Sequence, residues 1–328
     1  MMYEVKVLLR QAVIVGLALA ASVCVSATSV SQAPVPDALD PENLKLASVS
    51  AFVAPLNSGE PSYAKRVDWV MPIASVTKMM TALVVLDSGA PLNERLTVEK
   101  RHVAAAANAY SRIRPDSHAK RGDLLTIALM SSENYAAYLL ARHHPQGYDA
   151  FIDAMNAKAR ALGMRHTHFV DPSGLSEQNV STAADLGKML KAAYEYPAIR
   201  EATTGAKHDV WFTHPGYSLY YANTNPLVRS SRWDVLLSKT GYLTNAGRCL
   251  AMVVNIEGVP TAMVMLDSFG KRTPLGDAGR IRRWLTTGNG GAVAAAAARY
   301  EQTKAQALEA QVLATQPVGG AETDTVSR

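Results

Sequence analysis

Met71-Pro-Ile-Ala-Ser-Val-Thr-Lys-Met-Met-Thr-Ala-Leu-Val-Val-Leu-Asp-Ser-Gly89 decides the reading of this chain. Met79, Ala82, Leu83 and Leu86 fall at helical spacing, and Gly89 is a good helix terminator. Met80, Val84 and Val85 make the other faces apolar, so the spacing predicts a helix buried on most sides, with Ser75 at its first turn. A spacing of three places the Ser75 hydroxyl and the Lys78 amine on one face. A charged lysine entering such a helix is costly, and the expected escape is a lowered pKa, which suits a general base. The helix N-terminus also favours negative charge developing on the serine oxygen.

Ser-x-x-Lys alone is poor evidence, because Ser62/Lys65, Ser117/Lys120 and Ser268/Lys271 match it too. Ser62 lies just past the turn signal Asn57-Ser-Gly-Glu60, which makes Lys65 a solvated strand end. Ser117 lies in a polar loop, and Ser268 follows a strand near Gly270. None precedes an apolar helix. Context chooses Ser75.

Two further motifs follow in order. Ser132-Glu-Asn134 lies between two apolar runs, at an expected break between helices; a serine and an amide there can relay a proton and hold a carbonyl. A helix-capping Ser/Asn pair is the alternative. Lys239-Thr-Gly241 reads as part of a strand. Lys239 and Thr240 are placed to attract a carboxylate, Gly241 to let a substrate backbone approach, and the Tyr242 N–H to join that of Ser75 as an oxyanion hole. An ordinary strand end is the competing reading. Arg248, on the next strand, is a candidate helper of Lys239, though an isolated charge there is more often a plain surface residue.

The 328-residue chain carries a formal net charge of +5 and eight histidines. Basic charge favours acidic polymers or wall material, and no nucleic-acid motif is present. Without a His-Glu-x-x-His array, neither a metal nor another cofactor is expected. Residues 1–27 read as a cleaved secretory signal, with Lys6 and Arg10 before an apolar stretch and Val25-Ser-Ala27 as the cleavage site. Cleavage leaves Cys249 alone, an inert core thiol by its apolar setting, in an exported protein without disulfides or a stable membrane anchor.

Residues 28–45 read as a Ser/Pro/Ala-rich linker. Ser48 to Ala54 and Pro61 to Arg66 form an expected hairpin, residues about 95–200 a mainly helical region, and Val235 to Tyr242, Arg248 to Ile256 and Thr261 to Asp267 a meander. The fold class is α/β (α+β), an antiparallel sheet of about five strands flanked by helices, over residues 46–288. Residues 289–328 read as a solvated, alanine-rich helical tail that ends in disorder.

Met71 to Ala82, Ala128-Leu-Met-Ser-Ser-Glu-Asn134 and Ser238-Lys-Thr-Gly-Tyr242 together resemble the low-molecular-mass penicillin-binding proteins, serine peptidases acting on D-alanyl-D-alanine peptides. Gly163-Met164, His168-Phe-Val-Asp-Pro-Ser-Gly-Leu175 and Asn179-Val-Ser-Thr-Ala183 extend the likeness. The resemblance implies a β-lactamase/transpeptidase-like fold and an acyl-enzyme on Ser75. It assigns Lys78 as base, Ser132 and Asn134 to proton relay and substrate holding, and Lys239 to substrate binding. It also implies covalent inhibition by β-lactams. The expected substrates are peptidoglycan stem peptides and their cross-links in the periplasm. Ser131-Ser-Glu-Asn134 and Ala246-Gly-Arg-Cys-Leu250 look like the endopeptidase branch, of the penicillin-binding protein 7 type, with carboxypeptidase activity as the alternative. A β-lactamase is disfavoured by the absence of its Glu-x-x-Leu-Asn segment; a wall-peptide or β-lactam binder without turnover is the reading from another class.

Overall fold

In the computed structural model, the described residues are 39–58, 60–102 and 109–315. The expected secretory signal and most of the expected linker lie outside them. The chain opens with the hairpin β1 (Ser48–Pro55) and β2 (Tyr63–Lys65). The short strand β3 (Met71–Pro72) leads into a 3-10 turn, Ala74–Thr77, and the helix α1 (Lys78–Asp87). A small ladder of β4 (Arg95–Thr97) and β5 (His118–Lys120) precedes α2 (Arg121–Met130), α3 (Asn134–Arg142) and α4 (Tyr148–Ala161). After β6 (Val180–Ser181), which pairs with β3, come α5 (Ala183–Tyr194) and α6 (Pro197–Thr204). A hairpin of β7 (Lys207–Phe212) and β8 (Tyr217–Ala222) precedes the meander β9 (Val235–Leu243), β10 (Gly247–Ile256) and β11 (Val259–Ser268). The chain closes with α7 (Thr273–Thr287) and α8 (Ala295–Thr315).

One antiparallel sheet, ordered β2-β1-β11-β10-β9, organises these parts. Strand alternation sends side chains to both faces, and both faces are covered. Ala251, Val253, Val264 and Leu266 pack with the helical region around α1, α2 and α5. Their neighbours Leu250, Met252, Met263 and Met265 pack with Ile281 and Trp284 of α7. The result is the three-layer arrangement expected from the strand pattern. Helix α1 runs through the first layer with every residue from Lys78 to Val85 buried.

Two expected boundaries move. Leu44 is buried against α7, and the Trp284 indole donates to the Asp40 carbonyl at 2.9 Å, so the segment from Leu39 belongs to the folded unit. At the other end α8 is docked, not solvated. Ala297 and Ala305 are buried, Glu301 pairs with Arg66 at 2.5 Å and Lys65 at 3.1 Å, and Tyr300 donates to Asp267 at 2.5 Å. Alanine is small enough to let α8 approach the sheet closely, so few large apolar residues are needed. Lys65, expected in solvent, also donates to the carbonyls of Leu46 and Ser48. Among the described residues, no helix is long and apolar enough to cross a membrane.

Candidate active site

Ser75 sits on the 3-10 turn at the mouth of α1, half-buried, with Lys78 as the first residue of the helix proper. Lys78 Nζ lies 3.0 Å from Ser75 Oγ, 2.7 Å from Asn134 Oδ1 and 2.6 Å from the Ser173 carbonyl oxygen. Burial pushes its pKa down to about 7, against an upward pull from the carboxylates of Asp171 and Glu133. A neutral amine has two N–H bonds and one lone pair. Three neighbours satisfy it when Asn134 and Ser173 take the N–H groups and the lone pair faces the Ser75 hydroxyl. That is the arrangement a base requires before it removes a proton.

The Ser132 motif lies at the break between α2 and α3. Glu133, rather than Ser132 or Asn134, caps α3 by accepting from the Tyr135 N–H, which frees the other two side chains for the cleft. Ser132 takes a left-handed backbone with φ of 63°, and Ala74, beside Ser75, another with φ of 47°. Such conformations cost non-glycine residues roughly 1–2 kcal/mol each, strain that the surrounding packing holds in place.

Lys239 is as buried as Lys78. Its Nζ donates to Ser132 Oγ at 3.0 Å and to the Thr240 carbonyl at 2.8 Å. Burial, and then the charge of nearby Lys78, depress its pKa well below the usual lysine range. Its ammonium therefore does not stand open in the cleft; its bond to Ser132 ties the third motif to the second. Thr240 and Tyr242 do line the cleft with Ser75, Ser132 and Arg248. Arg248 pairs across the strands with Tyr242, its guanidinium 3.7 Å from the centre of that ring.

Gly241 lines the cleft and has a second reason besides the one expected. A Cβ there would stand 3.0 Å from the Ile73 carbonyl and 3.1 Å from the Ser75 nitrogen. The bare glycine lets β9 press against the turn that carries Ser75. This contact brings the Ser75 and Tyr242 backbones to the same edge of the cleft.

Three contributors escaped the sequence reading: the Ser173 carbonyl, Asp171 and Thr224. Asp171 accepts from the backbone N–H of Ser173, Gly174 and Ser176 at 2.6, 2.7 and 2.8 Å, folding the loop that presents the Ser173 carbonyl. Thr224 Oγ1 lies 2.7 Å from Thr240 Oγ1. The only signal for Asp171 and Ser173 was the run His168 to Leu175, visible as a family pattern but not as a role; Thr224 had none. Two of the three decoys have partners away from the cleft: Ser117 donates to the Arg114 carbonyl, and Ser268 shares a hydrogen bond with Ser48. Cys249 is buried, its thiol pushed up to about 12, which keeps it protonated and unreactive.

A serine bonded to a buried lysine, seated between helices and the edge of an antiparallel sheet, fits an acyl-transferring serine peptidase site. The profile of the D-alanyl-D-alanine carboxypeptidase family matches residues 37–270, and the chain belongs to that family. It is 47% identical over 274 residues to a D-alanyl-D-alanine endopeptidase of Pseudomonas aeruginosa, covering 84% of this chain and 88% of the relative. It is 47% identical over 266 residues to a D-alanyl-D-alanine endopeptidase of Escherichia coli, covering 81% and 86%. Among solved structures it resembles a DD-transpeptidase from Streptomyces, with a TM-score of 0.69 at 27% identity, over 74% of this chain and 98% of the other. A penicillin-binding protein from Listeria monocytogenes in its ampicillin-bound form matches with a TM-score of 0.65 at 28% identity, over 75% and 99%.

Proposed function

We propose that this protein is a D-alanyl-D-alanine endopeptidase of the periplasm, hydrolysing peptidoglycan cross-links through an ester on Ser75. The carrying observation is the 3.0 Å approach of Lys78 Nζ to Ser75 Oγ, with both other motifs bonded into the same cleft. Ser75 Oγ attacks the D-alanyl carbonyl and gives its proton to Lys78. The Ser75 and Tyr242 N–H groups receive the oxyanion. The C–N bond breaks, and the leaving amine takes a proton handed over through Ser132. Water, deprotonated in turn by Lys78, then hydrolyses the ester. Thr240 and Arg248 hold the carboxylate next to the scissile amide. A carboxylate arriving there favours the charged form of Lys239.

Two endopeptidases at 47% identity support the endopeptidase reading over the carboxypeptidase one. The test is a digest of purified cross-linked muropeptide dimers and monomeric pentapeptides, resolved by chromatography. Conversion of dimers to monomers, faster than loss of D-Ala from pentapeptides, is expected. It should vanish in Ser75→Ala, together with labelling by a fluorescent penicillin, while Ser62→Ala retains both. Release of D-Ala from pentapeptides with dimers left intact would establish the carboxypeptidase instead.

A further inference from the structure

The cleft holds about 640 Å³ and extends well past the nucleophile. Four cations line it, Arg229, Arg248, Lys271 and Arg272, and neither Asp nor Glu does. Among the described residues none of the four enters an ion pair, whereas Lys158, Lys188 and Arg280 pair with Asp87, Asp185 and Asp277. Arg229, Lys271 and Arg272 are also exposed.

These cations come from separate connections that converge on one strand edge. Arg229 ends the 3-10 turn Pro226–Arg229 between β8 and β9, and the neighbouring Asn225 bonds Ser238 on β9. Lys271 and Arg272 follow β11, whose last residue, Ser268, pairs with Arg248 on β10. Thr240 to Tyr242 therefore share one cleft with uncompensated positive charge from separate parts of the chain.

One terminal D-alanine presents one carboxylate, and Thr240 with Arg248 suffices for it. A leaving group that is itself a peptide carries a further carboxylate beyond the scissile amide, at its own C-terminus. Gathering three more unpaired cations in one cleft costs repulsion, which a second anion relieves. Pro274 and Leu275 line the same region and offer apolar contact to the chain between the two carboxylates. We infer that Arg229, Lys271 and Arg272 form a subsite for a carboxylate on the leaving half of a cross-linked peptide. The inference rests on the endopeptidase reading and names what makes the cleft prefer a peptide as leaving group.

The test uses the full chain and a Lys271→Gln/Arg272→Gln double variant. Synthetic cross-linked dimers carry the C-terminal carboxylate of the leaving half either free or amidated. The wild type should cleave the free dimer about tenfold more efficiently in kcat/KM, as one lost charged contact implies (~1.4 kcal/mol). In the variant this ratio should collapse toward one, and in the wild type it should shrink as salt is raised. Equal cleavage of both dimers by the wild type, or an unchanged ratio in the variant, overturns the subsite while leaving the endopeptidase intact. A wild type that trims pentapeptides and cuts neither dimer overturns the endopeptidase reading, and the subsite with it.

Discussion

Asp171 is linked to Lys78 through a single carbonyl. The Asp171 carboxylate gathers the N–H groups of Ser173, Gly174 and Ser176, and the Ser173 carbonyl so fixed accepts from Lys78 Nζ at 2.6 Å. The same carboxylate raises the lysine's proton affinity, against the larger downward pull of burial. One residue thus both positions the amine and tunes it.

That balance has a pH signature. As the proposed base, Lys78 works only when neutral, and its folded pKa is lowered to about 7. Acylation by a penicillin should therefore rise as pH passes upward through about 7, followed as a second-order rate by stopped-flow fluorescence. In Asp171→Asn its share of the upward pull is lost while that of Glu133 remains, so the midpoint should move to lower pH while the maximum rate falls. A lower rate with an unmoved midpoint would leave Asp171 a purely structural role.

Gly174 supplies a steric test of the same loop. Its φ is +75°, and a Cβ there would stand 1.9 Å from the Ala74 carbonyl oxygen and 2.8 Å from Thr77 Oγ1. Backbone must move to admit it, and the backbone in question carries Ser75. Gly174→Ala should lower acylation by at least about a hundredfold, in line with the effect of ångström-scale misplacement on a reacting group. Wild-type labelling kinetics in this variant would mean that the turn tolerates displacement.

What was legible in the sequence follows from which interactions are periodic. The buried α1 and the strands β1, β9, β10 and β11 announce themselves by apolar spacing, and the observed boundaries differ from the expected ones by one to two residues at most ends. Ser75 and Lys78 lie on one helical turn, so their contact is local and readable. The bond from Lys239 to Ser132 joins residues 107 apart, and only the fold brings them together. Backbone contributors are harder still, because the Ser173 carbonyl has no side-chain signature. The docked tail was hidden for another reason: α8 is held by small alanines and charge pairs, which a count of large apolar residues does not register.

The tail's attachment is measurable. Removing residues after Gly288 strips Asp267 of Tyr300 and Lys304, strips Arg66 of Glu301, and uncovers the face that Ala297 and Ala305 occupy. Asp267 is buried enough that its carboxyl is already pushed upward, so losing its partners is costly. A loss of ~2 kcal/mol corresponds to a fall in Tm of about 4–8 °C. Calorimetry of the truncated chain reads it directly. An unchanged Tm would show that α8 adds nothing to stability.

Lys239 sets function against stability. Its folded pKa is depressed by burial and by Lys78, whereas an unfolded lysine titrates near ~10.4. A group whose folded pKa is lowered destabilises the fold at every pH below its unfolded value, most fully below its folded one. Replacing Lys239 with Met, of similar length and apolar, removes that penalty. It also deprives Ser132 Oγ and the Thr240 carbonyl of a donor, which returns part of the gain. The net expectation for Lys239→Met is a Tm raised by a few degrees near neutral pH, with the gain shrinking as pH climbs toward ~10. Penicillin acylation should meanwhile fall about tenfold or more, since a hydrogen bond to a charged group contributes about 1.5–3 kcal/mol. A variant that melts lower than the parent at neutral pH, or whose advantage grows with pH, would show that the bonds of Lys239 outweigh the cost of burying it.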